Sequence, residues 1–229
     1  KTSFAPPVAY LENQAFVESC TERFATLRNV VGPEVDLAID FHGRFSPAMS
    51  KRMIRALEPY YPFFIEEPCL PGNTDALVEL RNSTTVPLAT GERLFTKWGF
   101  RDLIQRQAVA ILQPDLCHAG GIGEVKKIAA MAEACDLAVA PHNPLGPISL
   151  AACLQLDACT HNAFLQEQVT LGEGYLKEPF IMEEGYIKVP QKPGLGIELD
   201  VARIKELEYD GRWQTPRVFD DKDSSVAEW

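Results

Sequence analysis

Residues 35–44, VDLAIDFHGR, join an apolar run of strand type to an acid, and the same pattern returns in PFFIEEP (62–68) and VPLATGER (86–93). Further apolar runs lie at 108–113, 137–140 and 163–166, with helical patterns between them. Strands that alternate with helices are typical of βαβ units and of a parallel sheet. The sequence therefore predicts an α/β fold.

The polar residues that end these runs recur at a nearly constant interval. They stand at positions 40, 66, 92, 115, 142 and 167, so that successive ones are 26, 26, 23, 27 and 25 residues apart. A regular period with little sequence identity between units is typical of a TIM-type barrel. A doubly wound sheet is the alternative, but it would place a glycine-rich phosphate turn after one strand. Neither GxGxxG nor GxxxxGKS/T occurs in the sequence.

Helices are expected between the strands. Apolar residues at helical spacing run from Leu11 to Val31, and Ser46 and Asn73 are residues of the kind that cap helix N-termini. Further helices are expected from Gly121 to Cys135 and after Gly146.

Charge and cysteine content limit the partners and the compartment. The chain has 22 Lys and Arg against 32 Asp and Glu, a net charge of −10, and its basic residues are dispersed, which argues against a nucleic-acid or anionic membrane surface. Its six cysteines include no CxxC pair, which favours a reducing, cytoplasmic setting. The most apolar stretch, residues 148–159, is too short for a membrane span, which needs about 20 residues. We therefore expect a cytoplasmic protein with no nucleic-acid or membrane partner.

Three acids follow three successive predicted strands: Asp40, Glu66 and Glu92. In a barrel the carboxyl ends of the strands converge on one mouth, so these side chains would share one site. Three carboxylates so close together repel one another unless a cation neutralises them. An all-oxygen set of ligands suits Mg²⁺. Taken singly, each acid would be a helix cap or a surface charge, but their equal spacing favours a metal site.

Two histidines also lie at or just after the ends of predicted strands. His142 in PHNP would be near Asp115 in QPD on the adjacent strand, and a carboxylate there can orient an imidazole and raise its basicity. The structural alternative is that Asp115 caps a helix and His142 is a loop residue. His42 stands two residues beyond Asp40 and is expected to point into the mouth of the barrel with it.

Glu67 is expected to turn to the other side of its strand and form a salt bridge. Solvated or structural roles are expected for Arg44, Arg93, His118 and His161.

Seven motifs together resemble one known family. They are DFHGR (40–44), FIEEP (64–68), TGER (90–93), QPDLCHAGGI (113–122), APHNPLGPISLA (140–151), AFLQEQ (163–168) and PGLGIELD (193–200). They resemble the enolase superfamily, in particular its mandelate racemase-like branch and most closely the galactonate dehydratases, over essentially the whole chain. The resemblance implies a (β/α)7β barrel of TIM type and an α+β capping domain contributed mainly by residues N-terminal to it.

By this resemblance the sequence holds only part of the family's fold. Residues 1–170 would form barrel strands 2 to 8, and the capping domain and the first barrel strand would not be included. The period stops near Leu171, and residues 171–229 are rich in proline, glycine and charge. They would form a C-terminal tail that wraps the barrel and packs on the capping domain.

The resemblance also implies roles for the candidate residues. The three acids match the family's metal ligands, and His142 with Asp115 matches its base dyad. Glu167 matches the acid that hydrogen-bonds the substrate carboxylate or the enediolate, and His42 matches the general acid of the dehydratases. Racemases of the branch end the second strand with KxK, whose second lysine is a base, and Ser3 stands at that position here.

These features predict an Mg²⁺-dependent dehydratase of an aldonic acid similar to galactonate, in carbohydrate catabolism. The C2 proton would be removed through a metal-stabilised enediolate and the C3 hydroxyl eliminated, which gives a 2-keto-3-deoxy acid. The first alternative is a racemase or epimerase of a 2-hydroxy acid on the same site, with His42 as the second base. A metal-dependent hydrolase would usually open with HxH rather than DxH, and a non-catalytic scaffold should have lost some ligands. The partner would be a small acid sugar, and a homo-oligomer is expected.

Overall fold

The computed structural model describes residues 1–3 and 8–212, along which helices alternate with short strands. The helices are α1 (Gln14–Val31), α2 (Pro47–Leu57), α3 (Thr74–Asn82), α4 (Thr96–Gln105), α5 (Leu116–Ala119), α6 (Ile122–Glu133), α7 (Pro147–Asp157) and α8 (Val201–Glu206), with a 3₁₀ turn at Glu58–Tyr60. The strands are β1 (Ile39–Asp40), β2 (Ile65–Glu66), β3 (Leu88–Thr90), β4 (Ile111–Leu112), β5 (Ala138–Val139), β6 (Met182–Glu183) and β7 (Tyr186–Ile187). Residues 213–229 of the predicted tail lie outside the described residues.

The strands β1 to β5 form one sheet in the order β1–β2–β3–β4–β5. β1 pairs with β2, and β2 with β3, in parallel. Two parallel bridges lie beyond the named strands: Thr2 pairs with Ile39, and Val139 pairs with Ala163. Neighbouring parallel strands need a crossover connection, which the helices between them supply. The predicted α/β class with a parallel sheet is confirmed, and the predicted barrel is compatible with it.

The regular strands are shorter than the sequence predicts. The apolar run at 35–40 is a strand only at Ile39–Asp40, and the run at 163–166 contributes a bridge at Ala163 rather than a strand. Leu37 and Ala38 are buried although they precede the strand. Apolar runs indicate which residues are buried, and burial extends beyond the residues that form regular hydrogen-bonded strand pairs. The sequence therefore predicts where each strand lies better than how long it is.

Helices α1, α2 and α3 each begin after a residue whose side chain caps the N-terminus. The predicted caps Ser46 and Asn73 are confirmed, since their side chains accept hydrogen bonds from the amides of Met49 and Ala76. The first helix starts at Gln14 rather than at the predicted Leu11, because the Asn13 side chain accepts from the Phe16 amide and caps the helix there.

The described residues fall into two compact units. The first comprises residues 1–3, 8–91 and 101–111. Its α2 buries one face at helical spacing, formed by Met49, Met53, Ile54 and Leu57. Phe41 and Phe45 lie in the same unit, with their ring centroids 4.7 Å apart in an edge-on arrangement.

The second unit comprises residues 92–100 and 112–212. Its α6 packs against α7 and β5. Helix α7 is buried around much of its circumference, by Leu150, Ala151, Cys153, Leu154 and Leu156. The tail contributes an antiparallel hairpin of β6 and β7 and the short helix α8.

Within the described residues, no helix is long and apolar enough to cross a bilayer. The cytoplasmic location, the division of the chain at residue 170, and the capping domain and first strand beyond this sequence stay predictions.

A half-buried acid ends helix α7. The Asp157 Oδ1 atom is buried and accepts no hydrogen bond within the described part of the chain. Burial raises the pKa of Asp157 to about 7 from an ordinary value of 3.8. Between these two values the unfolded chain releases a proton that the folded chain retains, so stability falls as pH rises from about 4 to about 7.

The variant Asp157→Asn should therefore be more stable than wild type at pH 8, by about 2 kcal/mol, and nearly equal to it at pH 4. Urea unfolding at the two pH values measures the difference. The exposed Asp136 supplies the control, because Asp136→Asn removes an acid that is in contact with water. An equal effect of Asp157→Asn at both pH values would contradict the expectation.

Candidate active site

Three buried carboxylates lie at the C-terminal ends of the first three strands. Asp40 is the last residue of β1 and pairs in register with Glu66, the last residue of β2. Glu92 follows two residues after the end of β3. Their exposed fractions are 3%, 0% and 2%. One carboxylate oxygen from each lies within 4.8 Å of the other two, so the structure brings together the three acids that the sequence selected.

This acidic group fits a divalent ion by its charge and its donor atoms. Three ionised carboxylates carry three negative charges, and buried charges of one sign are costly unless they are neutralised. The Lys1 ammonium supplies one positive charge, 2.6 Å from Glu66 Oε1 and 3.2 Å from Asp40 Oδ2. A divalent ion would balance the remaining two, and hard oxygen donors suit Mg²⁺. Asp40, Glu66 and Glu92 are the residues that would hold it.

Lys1 is a site residue that the sequence analysis did not assign. Its position follows from Thr2, which pairs with Ile39 and accepts a hydrogen bond from the Asp40 amide at 2.9 Å. This pairing aligns the start of the chain with the end of β1, where the acids lie. The signal was present in the sequence, because Lys1 occupies the first position of the KxK pattern that was used only to assess Ser3.

His42 lies against the carboxylate of Asp40. Its backbone amide donates to Asp40 Oδ1 at 2.8 Å, and its Nε2 lies 3.2 Å from Asp40 Oδ2. Its Nδ1 is 3.3 Å from the Ser3 hydroxyl oxygen. The residue has a φ of +51°, so a turn brings the side chain there. The alternation of an extended strand, on which the sequence argument relied, is not the cause.

His142 and Asp115 form a buried pair. Nδ1 of His142 lies 2.9 Å from Asp115 Oδ2, and Nε2 lies 3.3 Å from Glu92 Oε2. The two side chains are 7% and 0% exposed. A carboxylate that accepts at Nδ1 favours the tautomer with the proton on that nitrogen, which leaves Nε2 as the nitrogen that can take a proton.

Asp115 makes both of the contacts that the sequence left open, the helix cap and the contact with His142. Its Oδ1 accepts from the amides of Cys117 and His118 and so caps α5, while Oδ2 contacts His142. Burial by itself would raise the pKa of Asp115, but the hydrogen bonds from His142 and Cys117 and the charge of His118 together hold that pKa below its usual value. The carboxylate is thus kept in the ionised form that can accept from His142.

Glu167 is fixed through the residue that follows His142. Its Oε2 accepts from the Asn143 amide at 2.8 Å, and its carbonyl accepts from the side-chain amides of Asn143 at 3.3 Å and Gln166 at 2.6 Å. Asn143 was not predicted from the sequence. Its place between the predicted base and the proline of PHNP is the only sequence signal for it.

Two of the residues expected to be solvated or structural can be compared with the site. His161 is 90% exposed and lies 3.5 Å from a carboxylate oxygen of Glu133. His118 Nδ1 lies 3.8 Å from Asp115 Oδ2, so this residue is a neighbour of the predicted base dyad.

Comparison with known proteins agrees with the geometry. The family described as Enolase C-terminal domain-like matches residues 11–203. A D-galactonate dehydratase from Variovorax paradoxus (strain S110) is 44% identical over 233 residues, which cover 97% of this chain and 61% of that protein.

Solved structures give the same result. A mandelate racemase/muconate lactonizing enzyme from Jannaschia sp. CCS1 is 34% identical with a TM-score of 0.84, over 92% of this chain and 56% of that chain. A mandelate racemase/muconate lactonizing enzyme-like protein from Rubrobacter xylanophilus DSM 9941 is 37% identical with a TM-score of 0.83, over 88% and 53% of the two chains.

The chain spans between 53% and 61% of the length of these relatives. Its motifs, its parallel sheet and its group of strand-end acids all agree with the resemblance found in the sequence, which is confirmed. With a match over residues 11–203, the chain belongs to the Enolase C-terminal domain-like family of the enolase superfamily.

Proposed function

We propose that the protein to which this chain belongs is an Mg²⁺-dependent dehydratase of an aldonic acid similar to galactonate. One observation carries the proposal: two histidines each lie against a carboxylate of the acidic group. His42 Nε2 is 3.2 Å from Asp40 Oδ2, and His142 Nε2 is 3.3 Å from Glu92 Oε2. Loss of water next to a carboxylate needs one base and one acid beside a group that stabilises negative charge. The D-galactonate dehydratase relative supports this reaction class.

The base of the proposed reaction is His142. A proton next to a carboxylate is very weakly acidic, because its removal puts a second negative charge on the acid. Mg²⁺ would supply the positive charge that stabilises this enediolate. Asp115 holds Nδ1–H and so presents Nε2 to the C2 proton, and the C2–H bond breaks as Nε2–H forms.

The acid of the proposed reaction is His42. It gives a proton to the C3 hydroxyl, the C3–O bond breaks and water leaves, and tautomerisation of the resulting enol gives a 2-keto-3-deoxy acid. The Ser3 hydroxyl, 3.3 Å from Nδ1, helps to hold the ring. Glu167, held by the Asn143 amide, would hydrogen-bond the substrate carboxylate or the enediolate.

Racemisation or epimerisation at C2 is the alternative on the same residues. It needs a second base on the opposite face of C2, and the position of the second lysine in the racemase pattern holds Ser3. His42 would then have to be that base. Ser3 contacts His42, which can hold that residue as the one general acid, and Ser3 itself is no second base. This contact therefore favours the dehydratase.

Metal binding should stabilise the full-length protein. After treatment with EDTA, Mg²⁺ at about 100 times its Kd should raise the free energy of unfolding by about 2.7 kcal/mol in urea titrations. The variant Asp40→Asn should lose most of this gain, because a ligand charge is removed. Asp36→Asn, an exposed acid four residues earlier, should keep it. A wild-type protein whose unfolding does not respond to Mg²⁺ would count against the metal site.

Removal of the base should stop both proton exchange and product formation. With the best substrate from a panel of aldonic acids, His142→Asn should lower C2 exchange with D₂O and 2-keto acid formation by about 10²- to 10⁴-fold, the usual worth of a general base. NMR of the C2 proton and a 2-keto acid assay measure the two steps. The exposed His161 provides the matched control, His161→Asn, which should leave both unchanged. Undiminished exchange in His142→Asn would reassign the base.

The acid should be separable from the base. His42→Asn should stop loss of water yet leave C2 exchange measurable, because His142 and the acidic group remain. The same two assays decide the matter. If wild-type protein instead inverts C2 in D₂O without forming any 2-keto-3-deoxy acid, the dehydratase proposal fails and His42 becomes the second base of an epimerase.

A further inference from the structure

Glu67, the residue after Glu66, is a buried acid that the proposed reaction does not use. It is 0% exposed, and its φ of +44° lies in the left-handed region that favours glycine. Such a backbone conformation at a residue with a side chain persists where the surrounding structure enforces it. The sequence analysis expected Glu67 to form a salt bridge on the far side of its strand. Two contacts of its carboxylate are with the hydroxyl of Thr90, the last residue of β3, and with the amide of Gly91, the residue after it.

Glu67 forms hydrogen bonds with the ends of both neighbouring strands. Its Oε1 accepts from the Thr90 hydroxyl and from the Gly91 amide, the latter at 3.2 Å. Its amide donates to the Ala89 carbonyl at 2.9 Å, and its carbonyl accepts from the Gly43 amide at 2.8 Å. Thr90 is also 0% exposed, so these bonds lie away from competing water.

These bonds reach the backbone next to two of the predicted metal ligands and a turn that follows the third. Glu67 is the residue after Glu66, and the Gly91 amide that it binds directly precedes Glu92. The Gly43 amide, which donates to the Glu67 carbonyl, belongs to the turn that begins after Asp40. We propose that Glu67 is a positioning residue, which sets the separation of the three ligand carboxylates through hydrogen bonds to the strand ends. The inference rests on the metal site of the proposed function and deepens it.

The test uses Mn²⁺ alone as the probe, with the full-length protein. Glu67→Ala removes the acceptor and should weaken Mn²⁺ binding by about 10- to 100-fold, as loss of outer-shell support does at other metal sites. Glu67→Gln keeps an oxygen that can accept from both Thr90 and Gly91, and should retain most of the affinity. Calorimetric titration gives the Kd, and urea unfolding without metal gives the stability of each variant.

A second variant keeps the inference testable if Glu67→Ala does not fold. Thr90→Val removes only the hydroxyl donor at nearly constant shape, and should weaken Mn²⁺ binding in the same direction as Glu67→Ala. Thr90→Ser restores a donor and should recover the affinity.

Glu58 provides a matched control. Its Oε1 accepts from the Thr84 hydroxyl and from the Thr85 amide at 3.0 Å, so its hydrogen bonds are of the same kind. It precedes β2, and its partners precede β3, so it lies at the ends of these strands that are remote from the acids. Glu58→Ala should lower the stability of the metal-free protein and leave the Kd for Mn²⁺ unchanged.

The outcomes separate this inference from the proposed function. If Glu67→Ala and Thr90→Val bind Mn²⁺ as wild type does and lose only stability, as Glu58→Ala is expected to, Glu67 is structural and the inference is overturned. If Glu67→Gln loses as much affinity as Glu67→Ala, charge and not hydrogen-bond geometry is at work, and the inference is again overturned. If wild-type protein binds no Mn²⁺, the proposed metal site fails and this inference fails with it.

Discussion

Repulsion between three buried carboxylates is the constraint on which the candidate site depends. The parallel register sets Asp40 beside Glu66, and Glu92 follows the end of the next strand, so the fold itself concentrates negative charge where water is excluded. Such an arrangement is stable only if positive charge or donated hydrogen bonds compensate it. The Lys1 ammonium lies against two of these carboxylates, and the proposed divalent ion would supply the remaining positive charge. The histidines that would perform the chemistry lie against two of the carboxylates that would bind the metal.

Much of this arrangement could be predicted from the sequence, and the reasons differ from one feature to another. Strand positions were predictable because buried runs that end in polar residues repeat along the chain. The caps Ser46 and Asn73 were predictable because capping depends on a side chain and the amides of the next turn. Strand lengths were not, because burial does not require regular pairing. Lys1 and Asn143 were missed because their contacts depend on which segments are adjacent in space, and local pattern carries little information about that.

The His42 side chain was predicted to lie on the same side as that of Asp40, and it does lie against Asp40, but the reason given was incomplete. The sequence argument assumed an extended strand, in which residues two apart share a face. The structure instead turns at His42, with positive φ at this residue and at Gly43, and the imidazole returns to the carboxylate of Asp40. Asp115 is a related case, since capping a helix and contacting His142 were treated as alternatives and the structure shows both contacts. A carboxylate has two oxygens, and one caps a helix while the other contacts His142.

The acids and the histidines occupy different parts of the framework. Asp40 and Glu66 are the last residues of their strands, held by the ladder, whereas His42 and His142 lie in the segments that follow β1 and β5. Substitutions or insertions in those segments can exchange the proposed general acid or general base without moving the carboxylates. Over evolutionary time, such a scaffold can acquire new proton-transfer groups while it keeps one ion-binding centre, so that divergence of reaction type within a lineage requires few changes and no new fold.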